Sequence, residues 1–167
     1  GELFPQLAPV LIPERQVIGW FDAPGLDGLP IFQLESPQGG RYYGMPPHGG
    51  RGLKLGLYHH RGEQGVEHIA ARGIDAVDRG LLEAGLDLAL PGVARHAQAY
   101  AECRFTLAPD ERFLIGNLPQ DGRIVVLSPC SGHGYKFAPL IGEIAADLAM
   151  GRKPAIDIAA FSPSLIL

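Results

Sequence analysis

At 167 residues the chain has the length of one ordinary domain, able to bury roughly two thirds of its unfolded surface. Fourteen Lys and Arg against eighteen Asp and Glu leave a net charge of -4 with no basic block to neutralise phosphates, which argues against a nucleic-acid partner. No apolar run approaches the roughly 20 residues a bilayer demands and no charged-then-apolar leader opens the sequence, while two cysteines are too few for a disulfide framework, so a non-membrane, cytoplasmic protein is expected.

Charged residues make up 19% of the chain where about 25% is usual, while the hydrophobic share is an ordinary 46%. Such a chain folds, yet it is short of polar surface, as though part of its exterior were meant to be covered.

The first third predicts extended structure. Residues 15–21 (RQVIGWF), 30–35 (PIFQLE) and 40–45 (GRYYGM) are β-branched or aromatic runs separated by turn-forming APGLDGL and SPQGG, which suggests an antiparallel meander. Residues 53–59 (LKLGLYH) alternate and add a fourth strand, with Lys54, Gly56 and Tyr58 on one face and Leu53, Leu55, Leu57 and His59 on the other. From 73 to 90 the period changes: Ile74, Val77, Leu81, Leu82, Leu86, Leu88 and Leu90 recur near helical spacing, with Gly80 and Gly85 against it and Pro91-Gly92 as the stop. Residues 93–100 allow a second short helix. Residues 101–107 (AECRFTL) predict a strand, APDE a turn, and 112–116 (RFLIG) a further strand. Residues 123–128 (RIVVLS) read as a strand of the kind buried on both faces. PCSGHGYKF follows, and then a helix over 139–150 whose Ile141, Ile144, Ala145 and Leu148 form an apolar stripe ending at Gly151. Strand, glycine turn and helix in that order make a cofactor-edge element.

Two glycine-rich segments carry the chemistry. In residues 131–136 (SGHGYK), glycines spaced by one residue at a strand-to-helix junction let the backbone approach a ligand closely; a tight turn with a surface histidine is the alternative. In residues 49–54 (GGRGLK), a strand lysine aimed at a cofactor would be a fixed positive charge in a desolvated site, against the alternative of a solvated lysine on an edge strand. His48, His59, His60 and His133 lack the tight pairing of zinc ligands, so no metal site is expected. Ser131 sits in P-C-S-G-H rather than the G-x-S-x-G of a hydrolase elbow. Cys103 lies between Glu102 and Arg104, where a cation favours the thiolate, although most lone cysteines, Cys130 included, are inert.

In order and spacing, RQVIGWF, RYYGMPPHGGRGLKLGLYHH, ECRFTLAPDERFLIGNLP, RIVVLSPCSGHGYKF and the closing GRKPAIDIAAFSPS resemble the carboxyl-terminal half of the monomeric sarcosine oxidase and N-methyltryptophan oxidase family, within the D-amino acid oxidase superfamily. The resemblance spans nearly the whole chain. It implies an α+β fold: a mainly antiparallel substrate domain over 1–107 with helices on one face. Residues 108–167 would return to an FAD-binding domain, supplying its C-terminal strand-turn-helix. It further implies an FAD-dependent amine oxidase that oxidises a small secondary or N-methyl amino acid to an imine and reduces O2 to hydrogen peroxide. A truncated, non-catalytic relative acting as a binding module shares every one of these motifs.

Residue by residue, the resemblance makes Cys103 the position of covalent flavin attachment through the 8α-methyl carbon and Lys54 the lysine of oxygen activation. Lys136 becomes the lysine that binds the substrate carboxylate and Tyr43 an active-site tyrosine. Gly132, His133 and Gly134 form the turn against the isoalloxazine, with the helix beyond directing its positive end to the N1/C2 edge. Three departures stand out. Phe105 replaces the tyrosine that follows the flavin-linking cysteine by two residues. Leu57 looks like an inserted residue, so His59 and His60 compete for the active-site histidine, with His59 preferred. Finally, neither Gly50-x-Gly52 nor Gly132-x-Gly134 completes the G-x-G-x-x-G of a Rossmann unit. The chain opens at GELFPQL, about where the family's first flavin-binding portion hands over to the substrate sheet. A fragment, a truncated product or one piece of a split enzyme is therefore expected, with the N-terminal FAD-binding half as its partner, from the same chain or another.

Overall fold

The computed structural model describes residues 4–65 and 72–167. It is a mixed α/β structure with nine main elements: β1 (Ile12–Phe21), β2 (Phe32–Glu35), β3 (Arg41–Met45), β4 (Leu53–Tyr58), α1 (Ala76–Ala89), β5 (Ala97–Leu107), β6 (Leu114–Leu118), β7 (Asp121–Ser128) and α2 (Ala138–Ala149). They divide into two compact units, Glu14–Arg104 and the residues before Glu14 together with Phe105–Leu167.

The first unit is a five-stranded sheet in the order β2-β3-β4-β1-β5. β2, β3 and β4 form the expected antiparallel meander, but β1 is not its first member: it pairs antiparallel with the far edge of β4. The loop APGLDGL is thus a crossover past two strands rather than a hairpin. Residues 97–100, allowed as helix by the sequence, open β5 instead. β1 leaves an edge that must be paired, and the N–H of Asp22 donates to the carbonyl of His96 there.

One sheet face is apolar and carries α1. Val17, Phe21, Tyr42, Leu53, Leu55 and Leu57 pack against Leu82 and Leu86. Asp75 caps the helix with a reciprocal bond to Asp78, the short form of a capping box. Val77 and Leu88, expected on the apolar stripe, point to solvent, because the buried stripe runs through Asp78, Leu82, Gly85 and Leu86. Gly85 belongs to that stripe because Tyr42 lies across it: a Cβ there would sit 2.2 Å from the Tyr42 ring.

In the second unit β6 and β7 form an antiparallel ribbon. The sequence predicts for 123–128 a strand covered on both faces. Among the described residues β7 has one strand partner, β6, and Leu127 is 40% exposed. Leu114, Leu118 and Val126 pack with Leu7 on one side, while Phe113, Ile115 and Ile144 of α2 form a separate cluster. α2 ends in a Schellman turn, with Arg152 N–H on the Asp147 carbonyl, Gly151 N–H on that of Leu148, and Gly151 at φ 68.

Candidate functional site

The sheet face opposite α1 collects the candidate residues of the first unit. Tyr43 is paired with Gly56, Met45 with Lys54, and across the other ladder Ile18 with Gly56 and Trp20 with Lys54. Directly opposed residues share a face, so Tyr43, Lys54, Ile18 and Trp20 line one surface. Gly56 is buried beneath Tyr43, whose phenol lies where a side chain would otherwise stand: a Cβ there would come within 2.4 Å of it. On β5, Tyr100 packs edge-on against Phe21 and Glu102 reaches Arg15, both on the helix side. Alternation therefore turns Cys103 to the same surface as Tyr43 and Lys54.

The electrostatics agree with that placement. Burial pushes the Tyr43 phenol up to about 12, with the neighbouring Cys103 adding to the shift, so the hydroxyl keeps its proton at neutral pH. Burial also pushes the Cys103 thiol up, and the cations Lys54 and Arg104 pull part of that shift back. The surface thus brings together a thiol, an ammonium and a phenol that sense one another.

The two histidines separate at the end of β4. His59 (φ 64) and His60 (φ 35) are consecutive left-handed residues without glycine's freedom, and the alternation of the strand stops there. His59 does not stay on the face of Leu53, Leu55 and Leu57 as the alternation predicts. Its Nδ1 lies 2.8 Å from Oε1 of Glu14, whose parity along β1 is that of Ile18 and Trp20. His60 turns to the helix side, where its Nε2–H donates to Asp78 Oδ1 at 3.0 Å. There Arg15, Glu63, Asp78 and Glu102 form a buried ion cluster.

Burial lowers the His60 pKa, against the opposing pull of Asp78. Burial acts to raise that of Asp78, but Arg15, His60 and the Asp75 N–H outweigh it and hold the carboxyl far below its usual range. Both folded pKa values lie below their unfolded ones, so the unfolded chain binds more protons and stability falls with acid. The His60 contribution is intact above about pH 6.5 and is lost as pH falls from there toward its folded pKa; that of Asp78 is lost below about pH 4. The urea midpoint of the chain is expected to drop between pH 7 and 5, and His60→Gln to flatten that limb while leaving the one below pH 4. An unchanged slope in His60→Gln would count against this assignment.

The second unit holds the remaining candidates. Ser131 is fully buried: its N–H donates to the Thr106 carbonyl at 2.8 Å, its Oγ donates to that of Arg112 at 3.1 Å and accepts from the Ala108 N–H. This fixes the glycine turn to the end of β5. Gly132 (φ 77) is required by packing, since a Cβ would meet the Phe105 ring at 2.6 Å, and one at Gly134 would overlap the Pro129 carbonyl. His133 is exposed, stacks on Phe113 and donates from Nε2 to the Glu111 carbonyl at 3.0 Å. Lys136 is also exposed, with Nζ 5.3 Å from the Phe137 ring centroid, in a short 3-10 turn (Tyr135–Phe137) that precedes α2.

Glu14 had no signal as a functional residue beyond sharing parity with Trp20 along the strand. Among the described residues no group of three or more His, Cys, Asp or Glu is disposed to hold a metal ion, and no helix is long and apolar enough to cross a membrane.

Comparison with known proteins supplies the family. The chain is 41% identical over 168 residues to N-methyl-L-tryptophan oxidase of Yersinia pestis (strain Pestoides F), and equally to that of Yersinia pseudotuberculosis serotype O:1b (strain IP 31758), covering 96% of this chain and 44% of each relative. Among solved structures it is similar to NikD, an amino acid oxidase essential for nikkomycin biosynthesis, with a TM-score of 0.70 and 24% identity over 94% of this chain and 44% of that one. Fructosamine oxidase (Amadoriase II) from Aspergillus fumigatus shares the fold with a TM-score of 0.69 and 19% identity, over 91% of this chain and 39% of that one. The chain thus spans less than half the length of the relatives it matches. Residues 1–148 match the family model of DAO, FAD dependent oxidoreductase, and the chain belongs to that family.

Proposed function

We propose that the chain is the substrate side and flavin-capping portion of an FAD-dependent amine oxidase that converts a secondary or N-methyl amino acid to an imine and passes the electrons to O2, yielding hydrogen peroxide. The observation that carries the reading is the sheet face on which Cys103, Lys54 and Tyr43 share one electrostatic neighbourhood above Gly56. In this reading the sheet unit lies within the substrate segment 1–107. Residues 108–167 return to the FAD-binding domain, whose Rossmann half comes from elsewhere in the same chain or from another. Cytoplasmic placement belongs to the same proposal.

The donor set suits the ring end of FAD: a thiol for attachment, a cation and a phenol on one sheet face. No G-x-G-x-x-G unit accompanies it in this chain, so the adenosine and pyrophosphate need the other half. When bound, the flavin takes the hydride equivalent from the amine and delivers electrons to O2. Cys103 anchors the ring. The Lys54 ammonium supplies fixed positive charge for the negative charge O2 acquires as it is reduced. Tyr43, protonated, offers a hydroxyl at the substrate side, and His59 lies on the same sheet face. Lys136 binds the substrate carboxylate, Gly132 and Gly134 shape the turn, and His133 orders it through Glu111.

The experiment uses the full-length protein carrying these residues. After acid precipitation the wild type is expected to keep yellow flavin in the pellet and Cys103→Ser to release it. The wild type is expected to produce peroxide from N-methyl amino acids. Flavin retained in the Cys103→Ser pellet would refute the linkage. A colourless wild type that yields no peroxide would favour a non-catalytic binding module.

A further inference from the structure

Glu14 is fully buried, and among the described residues three side chains donate to its carboxylate. Gln16 Nε2–H donates to Oε1 at 2.6 Å, His59 Nδ1–H to the same oxygen at 2.8 Å, and Gln64 Nε2–H to Oε2 at 2.7 Å. With two amides already donating, the carboxylate accepts from His59 as well, which assigns the proton of that ring to Nδ1. A buried carboxylate is a poor way to stabilise a sheet, because an apolar side chain of similar volume would do as well or better. Its retention calls for another reason.

The backbone supplies one. His59 is left-handed without being glycine and is followed by a second such residue. Conformations of this kind are strained and persist only where the surroundings over-determine them. Here each ring is held by one buried carboxylate, His59 by Glu14 and His60 by Asp78, on opposite faces of the sheet. The Tyr58 ring meets the His59 ring edge-on at a centroid distance of 4.3 Å. Hydrogen bond and aromatic contact both act on the orientation of the imidazole.

We propose that Glu14 is a positioning residue for His59: it fixes which ring nitrogen is protonated and the rotation of the ring at the candidate active-site face. The proposal rests on the assignment of His59, rather than His60, to the active site. Glu14 acts through His59, so its removal should disturb rate before it disturbs binding.

The test uses the full-length FAD-loaded protein with histidine labelled in the ring nitrogens, and sarcosine and N-methyl-L-tryptophan as probes. In the wild type, His59 is expected to show a protonated Nδ1. Glu14→Leu should lose that signature and lower kcat by about 10²-fold with little change in KM, the scale of a displaced catalytic group. Glu14→Gln keeps a carbonyl acceptor of the same length and should restore the signature and most of kcat. In a His59→Asn background, Glu14→Gln and Glu14→Leu should cost nothing further, since the two residues act as a unit. An unprotonated Nδ1 in the wild type, or additive losses in the double variants, overturns the proposal. If Glu14→Leu does not fold, the wild-type ring shifts and the Glu14→Gln cycle still decide it. If His59→Asn alone leaves kcat and KM unchanged, the active-site assignment of His59 fails, while the ring signature still judges whether Glu14 holds it.

Discussion

Arg15→Met is expected to cost about 3–5 kcal/mol of unfolding free energy, the scale of breaking a buried ion pair from one side. Arg15 is almost fully buried and its guanidinium is saturated. Both terminal nitrogens reach the Asp78 carboxylate, at 3.1 and 2.9 Å, and Nε reaches Glu102 at 2.7 Å. Nη1 also donates to Glu63, and Nη2 to the Gly73 carbonyl. Burial works against the charge, but the bonds to Asp78 and Glu102 outweigh it and raise the pKa. One residue of β1 thereby holds the first turn of α1 and the middle of β5. Removing it takes the two-point contact from Asp78, which has no exposure of its own and is left with the hydrogen bonds from His60, Arg61 and the Asp75 N–H. Arg15→Lys should recover only part of the loss, because an ammonium cannot make the two-point contact. Urea denaturation at neutral pH reads both variants, and a loss below about 1 kcal/mol for Arg15→Met would mean that the cluster is solvated.

The second large effect concerns chemistry. In the full-length FAD-loaded enzyme, Lys54→Met is expected to slow the reaction of the reduced protein with O2 by about 10²–10³-fold, the usual range for removing one preorganised electrostatic contact. Anaerobic reduction by substrate should change far less, because a charge acting on O2 is not needed until that step. Lys54 is half-buried between Met45 and Trp20 in the ladder, so its charge is poorly screened, and it is felt at Cys103. Lys54→Arg keeps the charge and should retain an intermediate rate. Stopped-flow mixing of reduced enzyme with oxygenated buffer separates the two half-reactions. An unaffected O2 rate in Lys54→Met would remove the lysine from its proposed role.

Much of this arrangement could be read from local pattern, and the failures have physical causes. Alternation over 53–58 put Lys54, Gly56 and Tyr58 on one side and the leucines on the other, and the ladder registers agree. The same rule failed at His59, because alternation holds only while φ stays extended. Residues 97–100 could be read as helix because AQAY has no strong period; what makes them strand is the unpaired edge of β1, a feature more than seventy residues away in the chain. The position of β1 itself was equally hidden, since a turn-rich loop of ordinary composition serves a hairpin or a crossover alike. The apolar run in β7 describes what the strand can be packed against, and β6 covers only one of its edges. Glu14 was silent for a different reason: a single acidic residue next to an arginine looks solvated until the fold shows both buried, on opposite faces of one strand.

The sheet unit is bounded by Glu14 and Arg104, and the residues on either side of that span fold together as the other unit. Arg15 and Glu102, one residue in from each boundary or nearly so, are in direct contact, so the chain enters and leaves the sheet unit through a single doorway. A module inserted in that way can be exchanged between homologues as a cassette, or closed on itself with a short linker. Cys103, Lys54, Tyr43 and His59 all lie within that span and would travel with it as one set.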